Sequence, residues 1–342
     1  MTSLPPGIAP DARAVPPHLR PALPITETGY LAFWRAPRYR WWKGLLALAM
    51  AGTGFLALTT VAGIIGMAAD DVDLEALLSG DRSTLGVWFF LANNAGLALC
   101  LPLAMLTAWA CTGQRPRWLS SVSGGVRWRW LFSVLVVVLP LWLVLNTGLI
   151  LASGTELGWR EHTLIMAVGV LLTTPFQAAA EEYLLRGLLG RAVASWFGAP
   201  LVGFLVSTAV GAVVFMMLHG AGDPWLNVNY LVFAAVASWL TWRTGGLEAA
   251  VAIHVVNNMT ALALVPFTDI SGLFDRADGV GGPWVLIVMA TLMVGAGLVE
   301  WRWRRRPGQA HSAPGREEWA RLWWPPGAAS PGGGTGSLPA LW

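Results

Sequence analysis

Charge is scarce in this chain. Lys, Arg, Asp and Glu make up 12% of its 342 residues, while 55% are hydrophobic. So few charges cannot coat a water-soluble domain of this length, and with a mean hydropathy of +0.57 an ordinary soluble fold is excluded. Cysteine is almost absent, with only Cys100 and Cys111. Both fall on one predicted helix, ~16 Å apart, which is too far for a disulfide. No CxxC pair exists, so a zinc site built on thiolates is excluded and buried apolar packing is expected for both. Alternating apolar and polar residues are also missing from the long runs, which excludes a β-barrel. No charged start followed by a short apolar run and a cleavage site occurs, so no signal peptide is expected.

What remains is a set of long continuous apolar segments. A helix needs about 20 residues to cross ~30 Å of hydrocarbon. About eight segments qualify: residues 42–68, 87–111, 131–152, 163–196, 200–219, 225–242, 247–265 and 283–300. The expected fold is all-α and polytopic, with a buried polar site among the fourth, fifth and seventh helices. Arginines cluster before the first span (Arg35, Arg38, Arg40), between the second and third (Arg115, Arg117, Arg127, Arg129) and after the eighth (Arg302, Arg304, Arg305, Arg306). Acidic residues occupy the alternate connections, Asp70, Asp71, Asp73 and Glu75 after the first span and Asp269, Asp275 and Asp278 after the seventh. That asymmetry places both termini in the cytoplasm, and the plasma membrane of a bacterium is the expected location. The net charge of +3 then reflects topology and an anionic inner leaflet rather than nucleic-acid binding.

Four regions are expected. Residues 1–41, rich in Pro and Ala, read as a disordered cytoplasmic tail, and residues 42–160 as variable N-terminal spans. Residues 161–301 form the core, and residues 302–342 a basic, Pro/Gly-rich cytoplasmic tail in which only 316–324 suggests a short interfacial helix. Both tails are expected to be dispensable for activity.

Against this apolar background the stretch QAAAEEYLLRG, residues 177–187, stands out. Glu182 and Arg186 are four apart and share a helix face, so a structural ion pair is the plain explanation. A charge at mid-span costs about 2.5–3.5 kcal/mol even on the lenient insertion scale, and two adjacent carboxylates in low dielectric call for a donor or cation facing them. Of the five histidines, His219 and His254 alone lie inside spans, closing FMMLH and opening HVVNN. Phe215 with His219, and His254 with Asn258, are further pairs four apart on single helix faces. Counting from a turn at residues 198–200 puts Glu181 ~24 Å back and His219 ~28 Å beyond, at a similar level. His254 lies only ~10 Å from the cytoplasmic end of its span, so either that helix is tilted or the turn before it is buried.

In order, EEYLLRG, FMMLH and HVVNN resemble the EExxxR, FxxxH and HxxxN motifs of the CPBP intramembrane proteases, the type II CAAX prenyl endopeptidase or ABI family. The resemblance covers about residues 163–265. It implies an intramembrane endopeptidase acting on a membrane-associated protein or peptide. Glu181 with His219 would position and deprotonate water, His254 with Asn258 would polarise the scissile carbonyl, Glu182 would support them, and Arg186 would compensate charge. The site is expected in a cavity open toward the cytoplasm. Family members are read both as metalloproteases and as glutamate-dependent hydrolases. Under the first reading zinc is the expected cofactor, on Glu181, His219 and His254, although HExxH is absent. Two other classes remain open: a proton-coupled carrier or channel, since buried Glu and His also build proton relays, and a non-catalytic membrane scaffold of the same fold.

Overall fold

The structure, a computed structural model, describes residues 15–154, 156–270, 273–274, 277 and 279–322. After a short strand β1 (Thr28–Gly29), the chain runs through α1 (Trp41–Ala69), a five-residue α2 (Leu74–Leu78), α3 (Val87–Thr112) and α4 (Trp128–Ser153). α5 (Thr163–Glu182) continues through a π-helical stretch (Tyr183–Leu189) into α6 (Gly190–Ala194). Then come α7 (Pro200–His219), α8 (Pro224–Thr244), α9 (Glu248–Leu262), α10 (Val285–Arg305), strand β2 (His311–Ser312) and α11 (Arg316–Arg321). Seven of the described helical spans are long and apolar enough to cross a membrane: α1, α3, α4, α5 through α6, α7, the span begun by α9, and α10. The other expected span, 225–242, is present as α8. It has 21 residues but is more polar, carrying Asn227, Asn229 and Tyr230 near its start. The chain is an all-α integral membrane protein.

Leucines, valines and isoleucines such as Leu56, Val61, Ile64 and Ile65 of α1 face outward, as a lipid-facing surface requires. Inward, small residues allow close approach. A Cβ at Gly96 of α3 would sit 2.6 Å from Ala62 Cβ and 3.2 Å from the Leu58 carbonyl oxygen, so α1 and α3 meet nearly backbone to backbone. The largest core cluster lies among α4, α7, α8, α9 and α10, around Val138, Trp142, Phe233, Ile253 and Leu292.

The first and last described segments meet on one face, where β1 pairs antiparallel with β2. The first 41 residues were expected to be a disordered tail, but residues 15–40 are packed. Tyr30, Phe33 and Trp34 are fully buried, and the Gln114 amide donates to the carbonyls of Ala22 and Phe33 at 2.9 Å each. Composition hid this, because three buried aromatics supply the apolar area that the surrounding Pro and Ala do not. Trp319 of α11 is buried with Val15 and Ile25, so the C-terminal segment also folds back as far as residue 322. Residues 1–14 and 323–342 lie outside the described residues.

On the opposite face two aspartates fasten the connections. Asp70 accepts the N–H groups of Gly86, Trp88 and Phe89 at the start of α3. Asp223 caps α8 through Leu226 and holds the N–H groups of Gly279 and Gly281 at 3.0 Å. Burial alone would raise the Asp223 carboxyl, but these backbone donors outweigh it and hold it below the usual carboxylate range.

Candidate active site

The two adjacent glutamates sit where α5 passes into the π-helical stretch, and the widened turn lies directly after them. Such insertions recur at functional sites. They point to different surroundings. Glu182 is fully buried, and its Oε1 takes both Arg186 Nη1 at 3.1 Å and His254 Nδ1 at 2.7 Å. The Arg186 guanidinium also lies over the Phe215 ring, 4.9 Å from its centroid. With an arginine on the same oxygen Glu182 is ionised, so His254 Nδ1 carries the hydrogen and donates. The other imidazole nitrogen, Nε2, faces Glu181 Oε2 at 3.6 Å.

Glu181 lies on the wall of a chamber of about 940 Å³ together with His219, Gln177, Asn257 and Asn258. Most of the remaining lining is apolar: Leu48, Phe55 and Leu56 from α1, Leu184 and Leu188 beyond the glutamates, and Val214 and Leu218 from α7. Both α1 and α7 pack on α6 at the base, yet they form no extended contact with each other. Leu56 and Leu218, one on each helix, are exposed. The chamber wall therefore reaches the outer surface at α1 and at α7. The chamber runs on toward the face opposite β1 and β2, where Arg82, Leu85 and Phe274 line it. The expectation of a cavity open toward the face bearing the termini does not hold. None of residues 15–40 or 244–250 lines the chamber, and residues 244–250 are all buried.

The same burial settles the depth of His254. The turn before α9 is covered by residues 119–122, with Val122 N–H on the Gly245 carbonyl and Leu247 N–H on the Ser120 carbonyl. Glu248 at the helix start is clasped by Arg127, which donates through Nε at 2.9 Å, Nη2 at 2.6 Å and its backbone N–H at 2.9 Å. The turn before α9 is buried, and His254 stands level with Glu182.

The structure thus gathers Glu181, Glu182, Arg186, His254 and Asn258 directly or through one bridging side chain. His219 lines the same chamber. Its ring centroid lies 4.3 Å from that of Phe215 and 4.1 Å from that of Tyr230, both tilted contacts, and its Nδ1 sits 2.8 Å from the Phe215 carbonyl, so Nδ1 is the protonated nitrogen. The pairing differs from the sequence expectation, because His254 is the imidazole beside both glutamates. Gln177 was missed. It accepts from Asn258 Nδ2 at 3.2 Å and donates to Glu181 Oε1. Its place one helix turn before Glu181 was the available signal.

For zinc, the donor set is incomplete. Among the described residues no three His, Cys, Asp or Glu side chains are grouped as a metal ion requires. Of Glu181, His219 and His254, Glu181 and His254 approach to 3.6 Å, and His254 Nδ1 is already committed to Glu182.

Residues 161–260 match the family described as type II CAAX prenyl endopeptidase Rce1-like. Among curated proteins the chain is similar to the uncharacterized protein YyaK of Bacillus subtilis (strain 168), 28% identical over 147 residues, which are 40% of this chain and 48% of that protein. The chain spans about half the length of that relative. No solved structure matches. The matched segment carries both glutamates, Arg186, both intramembrane histidines and Asn258.

Proposed function

We propose that this protein is an intramembrane endopeptidase that hydrolyses peptide bonds of a membrane-associated protein or peptide, with Glu181 and His254 sharing the attacking water. The observation that carries the reading is the 3.6 Å approach of His254 Nε2 to Glu181 Oε2, a buried oxygen without a hydrogen-bond partner just behind the chamber wall, with the far side of the same imidazole fixed by buried Glu182. That spacing is too long for a good direct hydrogen bond but lets both atoms contact one water. Glu181 takes a proton from the water as its oxygen attacks the carbonyl carbon. Asn258, through its amide N–H, is the group assigned to the developing oxyanion. Collapse of the tetrahedral intermediate breaks the C–N bond, and the proton held by Glu181 passes to the leaving nitrogen. Glu182 and Arg186 orient His254 without touching substrate. None of the described residues lining the chamber is Ser, Cys or Thr, which argues against a covalent route.

The leucine- and phenylalanine-rich walls suit an apolar or lipid-bearing segment that enters from the bilayer between α1 and α7. On the arginine distribution, the face bearing β1 and β2 is assigned to the cytoplasm of a bacterial plasma membrane. The test is comparative proteomics of the membrane fraction. Cells carrying Glu181→Gln should accumulate an intact membrane protein whose fragment is present in wild type, whereas indistinguishable profiles would reject the peptidase reading in favour of a carrier or scaffold. Zinc stays out of this route because its ligands are not assembled. Purified protein is expected to hold no stoichiometric zinc and to keep cleaving after chelation. Loss of cleavage that zinc alone restores would put a metal in the site.

A further inference from the structure

We propose that Trp142 and Asn257 are positioning residues that fix which way the amides of Asn258 and Gln177 face, so that N–H groups, not carbonyls, point at Glu181 and into the chamber. This inference rests on the reading of Glu181 as the water-activating group.

Four hydrogen bonds join α4, α9 and α5 in one direction. Trp142 Nε1 donates to Asn257 Oδ1 at 3.0 Å, Asn257 Nδ2 to Asn258 Oδ1 at 3.0 Å, Asn258 Nδ2 to Gln177 Oε1 at 3.2 Å, and Gln177 Nε2 to Glu181 Oε1. A carboxamide is ambiguous by itself, because its oxygen and nitrogen ends have nearly the same shape. Here both ends of the chain remove the ambiguity. An indole N–H can only donate, and an ionised carboxylate can only accept. Turning all three amides over would set Trp142 N–H against the Asn257 NH₂ and the Gln177 carbonyl against Glu181. Both contacts would then be repulsive, in a medium where unmet polar groups are costly.

The indole that sets this polarity is itself immobile. Trp142 is 1% exposed, and a Cβ on Gly295 of α10 would lie 2.6 Å from its ring, so the glycine makes the slot the ring occupies. One turn along, Asn146 Nδ2 donates to Thr260 Oγ1 at 2.9 Å and ties the same two helices together again. With Asn258 Oδ1 committed to Asn257, the face that Asn258 can offer substrate is its second N–H, the donor an oxyanion needs. Trp142 lies outside residues 161–260, so α4 supplies a part of the site that the matched segment does not contain.

The test uses full-length protein in detergent with ¹⁵N-labelled Asn and Gln side chains, the Asn258 and Gln177 amide pairs being identified from Asn258→Ala and Gln177→Ala. Wild type should show one set of signals for each. Trp142→Phe keeps the ring and loses the donor, and Asn257→Leu cuts the next link. Each should shift or double the Asn258 and Gln177 signals. Unchanged signals in both variants would overturn the proposal, whatever the protein's activity, and if Trp142→Phe fails to fold, Asn257→Leu decides. On a peptide cut by wild type and not by Glu181→Gln, both variants should lower kcat about tenfold to a hundredfold with KM within about twofold, and the double variant should be no worse than the singles. Shifted amide signals with unchanged kcat would also overturn the proposal. If wild type cuts no peptide or membrane protein, the peptidase reading fails, and the amide signals alone decide the chain.

Discussion

Two neighbouring glutamates on one helix show two ways of keeping a carboxylate in a membrane. Glu182 is fully buried and neutralised in place by the Arg186 guanidinium and the His254 imidazole. Glu181 stands on the chamber wall with 16% of its side chain exposed, and its steady partner is the end of an amide chain. Balanced charge that cannot move suits a scaffold, whereas a carboxylate held by neutral donors beside an accessible space suits proton transfer. Helix geometry sends adjacent side chains about 100° apart, and that is enough to separate the two roles.

The largest effect expected from this contrast is catalytic. Glu181→Gln keeps size and hydrogen-bonding reach but cannot take a proton, so cleavage should fall by roughly 10²–10⁴ while the melting temperature stays near wild type. Glu182→Ala should instead unfold the protein more easily. It strands a buried arginine, a loss on the order of 3–5 kcal/mol, and releases His254, so activity goes as well. Adding Arg186→Ala should recover part of the melting temperature and none of the cleavage, because His254 stays unanchored. Equal thermal losses for Glu181→Ala and Glu182→Ala, with no recovery in the double, would erase the distinction.

A smaller effect is expected at the chain's first segment. Phe33→Leu removes part of a fully buried ring that does not line the chamber, so thermal melting should register a loss of about 1 kcal/mol with cleavage unchanged. No loss would restore the disordered tail. The smallest effect concerns a second buried arginine on the same helical run. Arg191 is fully buried, lies 3.9 Å over the Tyr30 ring, and forms no ion pair with a carboxylate among the described residues. Arg191→Met should therefore shift stability by less than about 1 kcal/mol, whereas Arg186→Met, which strands Glu182, should cost several.

Much of this was legible in the sequence for physical reasons. Long apolar runs gave the spans to within a few residues, since lipid tolerates only helices whose backbone is satisfied internally. The expense of intramembrane charge drew attention to Glu181, Glu182, His219 and His254. The spacing of four placed Glu182 with Arg186 as observed. Partners across helices were hidden, because periodicity reports a face and not what lies opposite it. Hence His219 was paired with Glu181 where His254 stands, and neither Trp142 nor Gln177 was foreseen. The ordered first segment was hidden too, since three aromatics among prolines and alanines do not register as a core until β1, β2 and the 244–250 turn close around them.

The role of Glu181 is tested most directly by whether it makes new peptide ends. Membranes from cells lacking the protein would be incubated with purified wild type or Glu181→Gln, and newly formed α-amines labelled and identified. New internal N-termini in membrane proteins with wild type, and their absence with Glu181→Gln, are the predicted result. The same termini with both proteins, or none with either, would contradict it.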